Sequence, residues 1–164
     1  MNYHDITKDD MLNGDGIRVV LWVSGCTLQC KGCQNPQAWD RNSGIKFDKS
    51  AMSEILTALK PDYIKGLTIT GGHPLEKYNV DDVVDIMCIV KKTYPEKDIW
   101  IYTGYEFDDI KNQRVLDLAD VIVDGRYEED KRDLSIAFRG STNQRIWRKS
   151  TNEFNDTIWR YDRE

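Results

Sequence analysis

The chain reads as an α/β protein: a short, open partial (β/α) barrel of about four to five parallel βα units, carrying a C-terminal β-hairpin extension. Three observations predict this. Gly-bounded, β-branched runs alternate with stretches of helical periodicity. The connections between them are short. Each run leads into a loop with glycine close by, and ligands of parallel sheets gather at the carboxyl ends of the strands.

IRVVLWVS (17–24), bounded by Gly14, Gly16 and Gly25, is a buried strand. Residues 50–59 place Met52, Ile55, Leu56 and Leu59 at helical spacing, with Ser50 as N-cap and Glu54 early in the helix. GLTIT (66–70) is a second strand, stopped by Gly71-Gly72. Residues 80–90 repeat apolar positions at helical spacing behind Asn79 and end before Pro95. DIWIYT (98–103) is a third strand, followed by Gly104 and a short helical stretch with Ile110, Val115 and Leu118. ADVIVDG (119–125) is a fourth. QRIWRKS and DTIWRYD form the terminal hairpin, turning near Asn155-Asp156. No linker or low-complexity stretch intervenes, so residues 1–146 form one domain and residues 147–164 an extension of it.

With 164 residues, 40% hydrophobic and 31% charged, the chain can bury a core, and its net charge of −5 offers no footprint for nucleic acid or an anionic membrane. No apolar run approaches the roughly 18 residues of a membrane span. The opening MNYHDITKDDM is polar and acidic, unlike a secretory or transit peptide, and a cytoplasmic location with reduced thiols is expected.

Three of the four cysteines, Cys26, Cys30 and Cys33, lie within eight residues, while Cys88 stands alone in VVDIMCIVKK as a buried, inert thiol. An odd-numbered cluster in a reducing compartment argues against disulfides. Cx3CxxC puts three thiolates on one loop, which favours an iron–sulfur cluster with one iron left open. Catalytic zinc sites likewise leave a position for substrate. A zinc site with Cys88 or His73 as fourth ligand is the alternative, although no second CxxC is present. The other motifs also follow strands: Gly71-Gly72-His73-Pro74, Thr103-Gly104-Tyr105 and Asp124-Gly125-Arg126. Right-handed crossovers would bring all four loops to one face. Trp22 and Trp100, inside strands, read as core, and neither they nor Trp39 is assigned chemistry.

The string GDGIRVVLWVSGCTLQCKGCQN, with its glycines, Arg18, the Gly-Cys step and Asn35, resembles the signature of glycyl-radical-enzyme activating enzymes, which are radical S-adenosylmethionine enzymes. The resemblance runs on through GLTITGGHPL, KDIWIYTGY, VIVDGRY and FRGSTNQ, covering roughly residues 1–146. It implies that Cys26, Cys30 and Cys33 bind three irons of a [4Fe–4S] cluster, and that S-adenosyl-L-methionine chelates the fourth. Reductive cleavage would then yield a 5′-deoxyadenosyl radical that takes hydrogen from a glycine Cα of a partner.

Within the family, the short chain resembles the branch acting on anaerobic ribonucleoside-triphosphate reductase, and the large glycyl radical subunit is the implied partner. A pyruvate formate-lyase-like target is the alternative within the same chemistry. A flavodoxin-like or other low-potential donor is the implied source of electrons. Gly71, Gly72 and His73 would meet the methionine amino group, with His73 standing where Asp or Glu is common. Gly32, where an aromatic residue is frequent in the wider superfamily, would neighbour adenine together with the backbone of Cys33 and Gln34. Asn35 would bond near the methionine moiety. Thr103 and Asp124 fall where longer activators hold a monovalent cation, and Arg126 where a guanidinium can meet the methionine carboxylate. From a different class, a non-catalytic electron carrier or zinc-binding module competes with this reading, but it would have no use for the four strand-end loops.

Overall fold

Eight strands, β1 (Asn2–Asp10), β2 (Ile17–Val23), β3 (Ile45–Lys46), β4 (Ile64–Gly71), β5 (Asp98–Tyr102), β6 (Val121–Asp124), β7 (Arg145–Thr151) and β8 (Thr157–Asp162), form one sheet. Their spatial order is β3-β1-β2-β4-β5-β6-β7-β8. Three α-helices, α1 (Lys49–Leu59), α2 (Val80–Thr93) and α3 (Gln113–Leu118), and three single-turn 3-10 helices accompany the sheet in this computed structural model, which describes residues 1–162.

The centre follows the expected plan. β2, β4, β5 and β6 lie side by side and parallel, with the three helices in the connections. Each new strand is added on the same side, so right-handed crossovers put the helices on one face. There Leu21, Leu67, Ile69, Ile99 and Ile122 join Ile55, Leu59, Val83, Met87 and Val115 in the main core. A smaller cluster contains Trp100, Val121, Val123 and Ile146 with Tyr102 and Phe138 packed against it. Alternation along β5 sends Trp100 to the opposite face from Ile99 and Ile101.

The expected partial barrel is corrected to a mixed sheet. Four parallel strands, the lower end of the expected four to five units, occupy its middle, but four of the seven strand pairings are antiparallel. Sequence periodicity missed β1 for a physical reason. Only Tyr3 and Ile6 of this strand are buried. Its pairing with β2 is irregular between Tyr3 and Asp5 and again between Thr7 and Asp10, where Asp9 takes a positive φ of 57°. Such irregularities shift the two-residue alternation that identifies a half-buried strand.

On the other side the β7–β8 hairpin forms as expected, with Asn155 at φ 64° and Asn152 Oδ1 accepting the amides of Phe154 and Asp156. β7 also pairs with β6, so the extension continues the main sheet. Its final residues, 163 and 164, lie outside the described residues.

One cap differs from expectation. Asp48, not Ser50, caps α1, its Oδ1 accepting the Ala51 amide at 2.9 Å. Asn79 lies at the N-cap of α2 as its place before the helix suggests, with no side-chain cap bond, its Nδ2 donating to Ser24 O and His73 O instead. Among the described residues no helix is long and apolar enough to cross a membrane.

Candidate functional site

The cysteine loop is rooted in the β2–β4 pair. Beyond the strands, Gly72 N donates to Val23 O and His73 N to Gly25 O, both at 2.7 Å, which zips the Gly71-Gly72-His73 turn to the start of the loop. Gly25 has φ 95°, and a Cβ there would lie 2.5 Å from the Tyr78 ring, so only glycine fits. On the loop's other flank Gly25 N donates to Ala38 O and Cys26 N to Trp39 O. Asn79 Nδ2 reaches both Ser24 O (2.9 Å) and His73 O (3.1 Å), tying the two loops from below.

Cys26, Cys30 and Cys33 are free thiols, each partly exposed. The loop curls through positive φ at Gln29 (45°) and Gly32 (69°), and Cys33 N donates to Cys30 O. Burial pushes the Cys26 thiol up, while the Leu28 and Gln29 amides bond its sulfur and favour thiolate. The Asn35 amide donates to Cys33 Sγ at 3.4 Å. Backbone N–H donors to cysteine sulfur are among the groups that tune iron–sulfur clusters. Three thiols on one loop, with sulfurs bonded by amides, suit a cluster with one iron lacking a protein ligand.

His73 and Thr103 come together inside the protein. His73 is 1% exposed; its Nε2 lies 2.8 Å from Thr103 Oγ1, its Nδ1 lies 3.4 Å from Glu76 Oε1, and its ring meets Tyr105 edge-on at 4.4 Å. Thr103 Oγ1 also accepts the Tyr105 amide. Burial pushes the imidazole below its ordinary value, against the pull of Glu76, so the ring is neutral near pH 7. An ionised Glu76 can only accept, which assigns the ring proton to Nδ1 and leaves Nε2 to accept the Thr103 hydroxyl. The His73 side chain and backbone are therefore occupied within the framework.

Glu76 is a site residue that sequence reasoning missed. It is 5% exposed and accepts the amide (2.8 Å) and hydroxyl (2.6 Å) of Thr27, the residue after Cys26. Burial pushes its carboxyl up, but the two Thr27 bonds and then His73 outweigh that and hold it below its ordinary value. Ligand atoms of Cys26, His73 and Glu76 all lie within 4.8 Å of one another. The available signal was a carboxylate three residues after His73 in GGHPLE, one turn before α2.

A pH dependence follows. Both groups have folded values below their ordinary ones, so their contribution to stability is present above the unfolded value and lost as pH falls. For His73 the loss begins near its ordinary 6.5, where the unfolded chain takes a proton that the buried ring refuses. For Glu76 it begins near 4.5. The thermal midpoint of the metal-free protein is expected to fall between about pH 7.5 and pH 5.5, and His73→Gln to flatten that slope. An equal slope in the variant would assign it to other groups.

The remaining loops bring some expected residues together and separate others. Arg126, exposed, donates to Leu28 O in the cysteine loop, and the Leu28 side chain packs so close to Gly104 that a Cβ there would lie 2.2 Å away. Gly32 faces Glu129, whose carboxylate would meet a Cβ at 2.6 Å, and Lys31 pairs with Glu129 at 3.3 Å. Gln34 lies beside Gly140 of the FRGSTNQ segment, and the Asn35 side chain accepts from Gln37.

Asp124 differs from expectation. It is fully buried, with its carboxylate engaged by Arg145 Nη2 (2.5 Å), Arg145 Nε (3.1 Å) and the Phe107 amide (2.7 Å). Arg145, which also pairs with Glu106 at 2.6 Å, occupies the position beside the carboxylate that a monovalent cation would take. Raising potassium at constant ionic strength is therefore expected to leave the thermal midpoint unchanged, whereas Arg145→Ala should acquire a potassium dependence. A specific potassium stabilisation of the unmodified protein would restore the cation site.

Cys88 differs too, being only partly buried and accepting from Arg114 Nη2 at 3.2 Å. Trp100 is fully buried as expected, while Trp22 is half-buried and donates to Thr7 Oγ1.

Residues 12–147 match the family model described as a 4Fe-4S single cluster domain. The chain is 42% identical over 162 residues to the anaerobic ribonucleoside-triphosphate reductase-activating protein of Enterobacteria phage T4, covering 99% of this chain and 100% of that one. It is 41% identical over 152 residues to the protein of that name from Haemophilus influenzae, covering 90% and 98%. The Escherichia coli K12 relative of the same name is 40% identical over 148 residues, covering 88% and 96%.

Proposed function

Because the chain belongs to the family of anaerobic ribonucleoside-triphosphate reductase-activating proteins and contains a 4Fe-4S single cluster domain, we propose that it is a radical S-adenosylmethionine oxidoreductase. It cleaves S-adenosylmethionine reductively at a [4Fe–4S] cluster on Cys26, Cys30 and Cys33, and so generates a glycyl radical on the large subunit of that reductase. The observation that carries this reading is the union of the three-cysteine loop with the Gly71-Gly72-His73 turn through bonds of 2.7 Å. A carrier or a structural zinc site needs no such second loop.

When bound, a reduced cluster would supply the one-electron chemistry that cleaves the carbon–sulfur bond of S-adenosylmethionine and so allows hydrogen abstraction from glycine. The chain supplies binding and position. Cys26, Cys30 and Cys33 would hold three irons as thiolates, with the amides of Leu28, Gln29 and Asn35 bonding two of the sulfurs. Gly71 and Gly72, where a Cβ would run into the backbone of Val23 and Gly25, let their turn pack against the root of the cysteine loop, partly exposed where the methionine amino group would sit. Arg126 offers a guanidinium at the rim of the cysteine loop for the carboxylate, exchanging its bond to Leu28 O. The backbone of Gly32, Cys33 and Gln34 borders the adenine, and Asn35 lies near the methionine moiety. His73 and Thr103 act from beneath, holding the loops rather than touching the substrate.

A low-potential donor such as a flavodoxin delivers the electron, and the reducing cytoplasm is the setting in which free thiols and such a cluster persist.

The test mixes the reconstituted protein with candidate partners, S-adenosylmethionine and reductant without oxygen, and records electron paramagnetic resonance. The expected result is a glycyl radical on anaerobic ribonucleoside-triphosphate reductase. A radical on a pyruvate formate-lyase-like enzyme and none on the reductase would reassign the target.

A further inference from the structure

We propose that Glu76 is a positioning residue for the cluster: a buried carboxylate that fastens the cysteine loop through Thr27 and holds a fixed negative charge beside Cys26. The proposal rests on the reading that this loop carries a cluster. Thr27 itself is exposed and Glu76 is 5% exposed, so the bonds run from the surface loop down to an interior anchor. The Thr27 amide and hydroxyl converge on one oxygen, Oε1, at 2.8 and 2.6 Å, fixing the residue that follows the first cysteine.

The anchor is itself held. Glu76 N donates to His73 O, and Glu76 O accepts from Asn79 N and Val80 N at the entry to α2. The two Thr27 bonds to its Oε1 favour the ionised form.

Its charge has no cationic match in this geometry. Among the described residues the facing ion-pair candidate is His73, at 3.4 Å. That ring bonds Thr103 on its far side and is neutral near pH 7. The field of the carboxylate therefore acts on Cys26, whose sulfur falls within 4.8 Å of a Glu76 oxygen. A fixed anion beside a cluster opposes addition of an electron and lowers its potential. The strand-end motif also makes sense in this light: the carboxylate lacking at position 73 enters the same loop from position 76.

Two variants separate the anchor from the charge. Glu76→Gln keeps an oxygen for Thr27 but removes the charge; Glu76→Ala removes both. In the reconstituted protein, Glu76→Ala is expected to lose iron to a chelator about tenfold faster, the scale of one hydrogen bond to a charged group. The Thr27 amide should also exchange hydrogen faster. Glu76→Gln should hold iron like the unmodified protein while its cluster midpoint potential moves to more positive values. Thr27→Val, which spares the amide bond and the buried residues, should increase iron loss by a smaller factor and guards against misfolding of the alanine variant.

Iron loss and Thr27 exchange unchanged in both Glu76→Ala and Thr27→Val would overturn the anchor, and an unchanged potential in Glu76→Gln would overturn the charge. Failure of the unmodified protein to take up any cluster would instead overturn the underlying reading.

Discussion

Alanine at Cys26, Cys30 or Cys33 is expected to abolish cluster retention and with it S-adenosylmethionine cleavage, each substitution alone being sufficient. The size of the effect follows from the ligand count. A four-iron cluster is ordinarily held by four thiolates, and this loop offers three. Losing one leaves two irons without protein ligands, and no other cysteine lies in the loop to replace it. Hydrogen bonds to sulfur from the Leu28, Gln29 and Asn35 amides suit the native arrangement and cannot substitute for a ligand. Cys88→Ala is the control. Its sulfur sits on α2 among core side chains and takes a bond from Arg114, so only a modest stability loss is expected, with iron content and activity near those of the unmodified protein. Iron content and visible absorbance after anaerobic reconstitution decide the matter, and loss of the cluster in Cys88→Ala alone would sink the three-ligand arrangement.

Arg18→Ala is expected to lower folding stability by about 3–5 kcal/mol, the cost of breaking a buried charge pair. Arg18 is fully buried, with Nε donating to Thr68 Oγ1 at 2.8 Å, Nη1 to Asp15 O at 3.0 Å, and Nη2 to Leu67 O at 3.1 Å and Asp98 Oδ1 at 2.5 Å. Its guanidinium also lies 5.3 Å from the Trp100 ring. One side chain thus joins β2, β4, β5 and the loop before β2. Alanine would strand the Asp98 carboxylate and the Leu67 carbonyl and leave a cavity beside Trp100. Arg18→Lys keeps the charge but not the planar fork, so it should recover only part of the loss. Urea unfolding of the metal-free protein measures both, and a loss below about 1 kcal/mol in the alanine variant would show that the network contributes little.

What the sequence revealed tracks what is local. The four parallel strands are short, largely buried runs rich in β-branched residues and bounded by turn residues, so their positions were legible to within two residues. The cysteine triplet was legible because its chemistry lies in spacing along one loop. β1 was not, because its irregular pairing and polar outer positions hide a strand that only pairing with β2 defines. The same limit explains Asp124: a strand-end aspartate reads as a turn or an ion ligand until Arg145, 21 residues on, is folded against it. His73 looked like a weakened ligand because Thr103 meets it only when the β4 and β5 loops converge, while its other partner, Glu76, is local at three residues on.

The most direct measurement of the central claim is 5′-deoxyadenosine formed by the reconstituted, chemically reduced protein supplied with S-adenosylmethionine in the absence of oxygen. The expected result is 5′-deoxyadenosine and methionine in equal amounts, absent when Cys30 is replaced by alanine. A brown, reducible protein that forms none, or a colourless protein holding a single zinc, would contradict it.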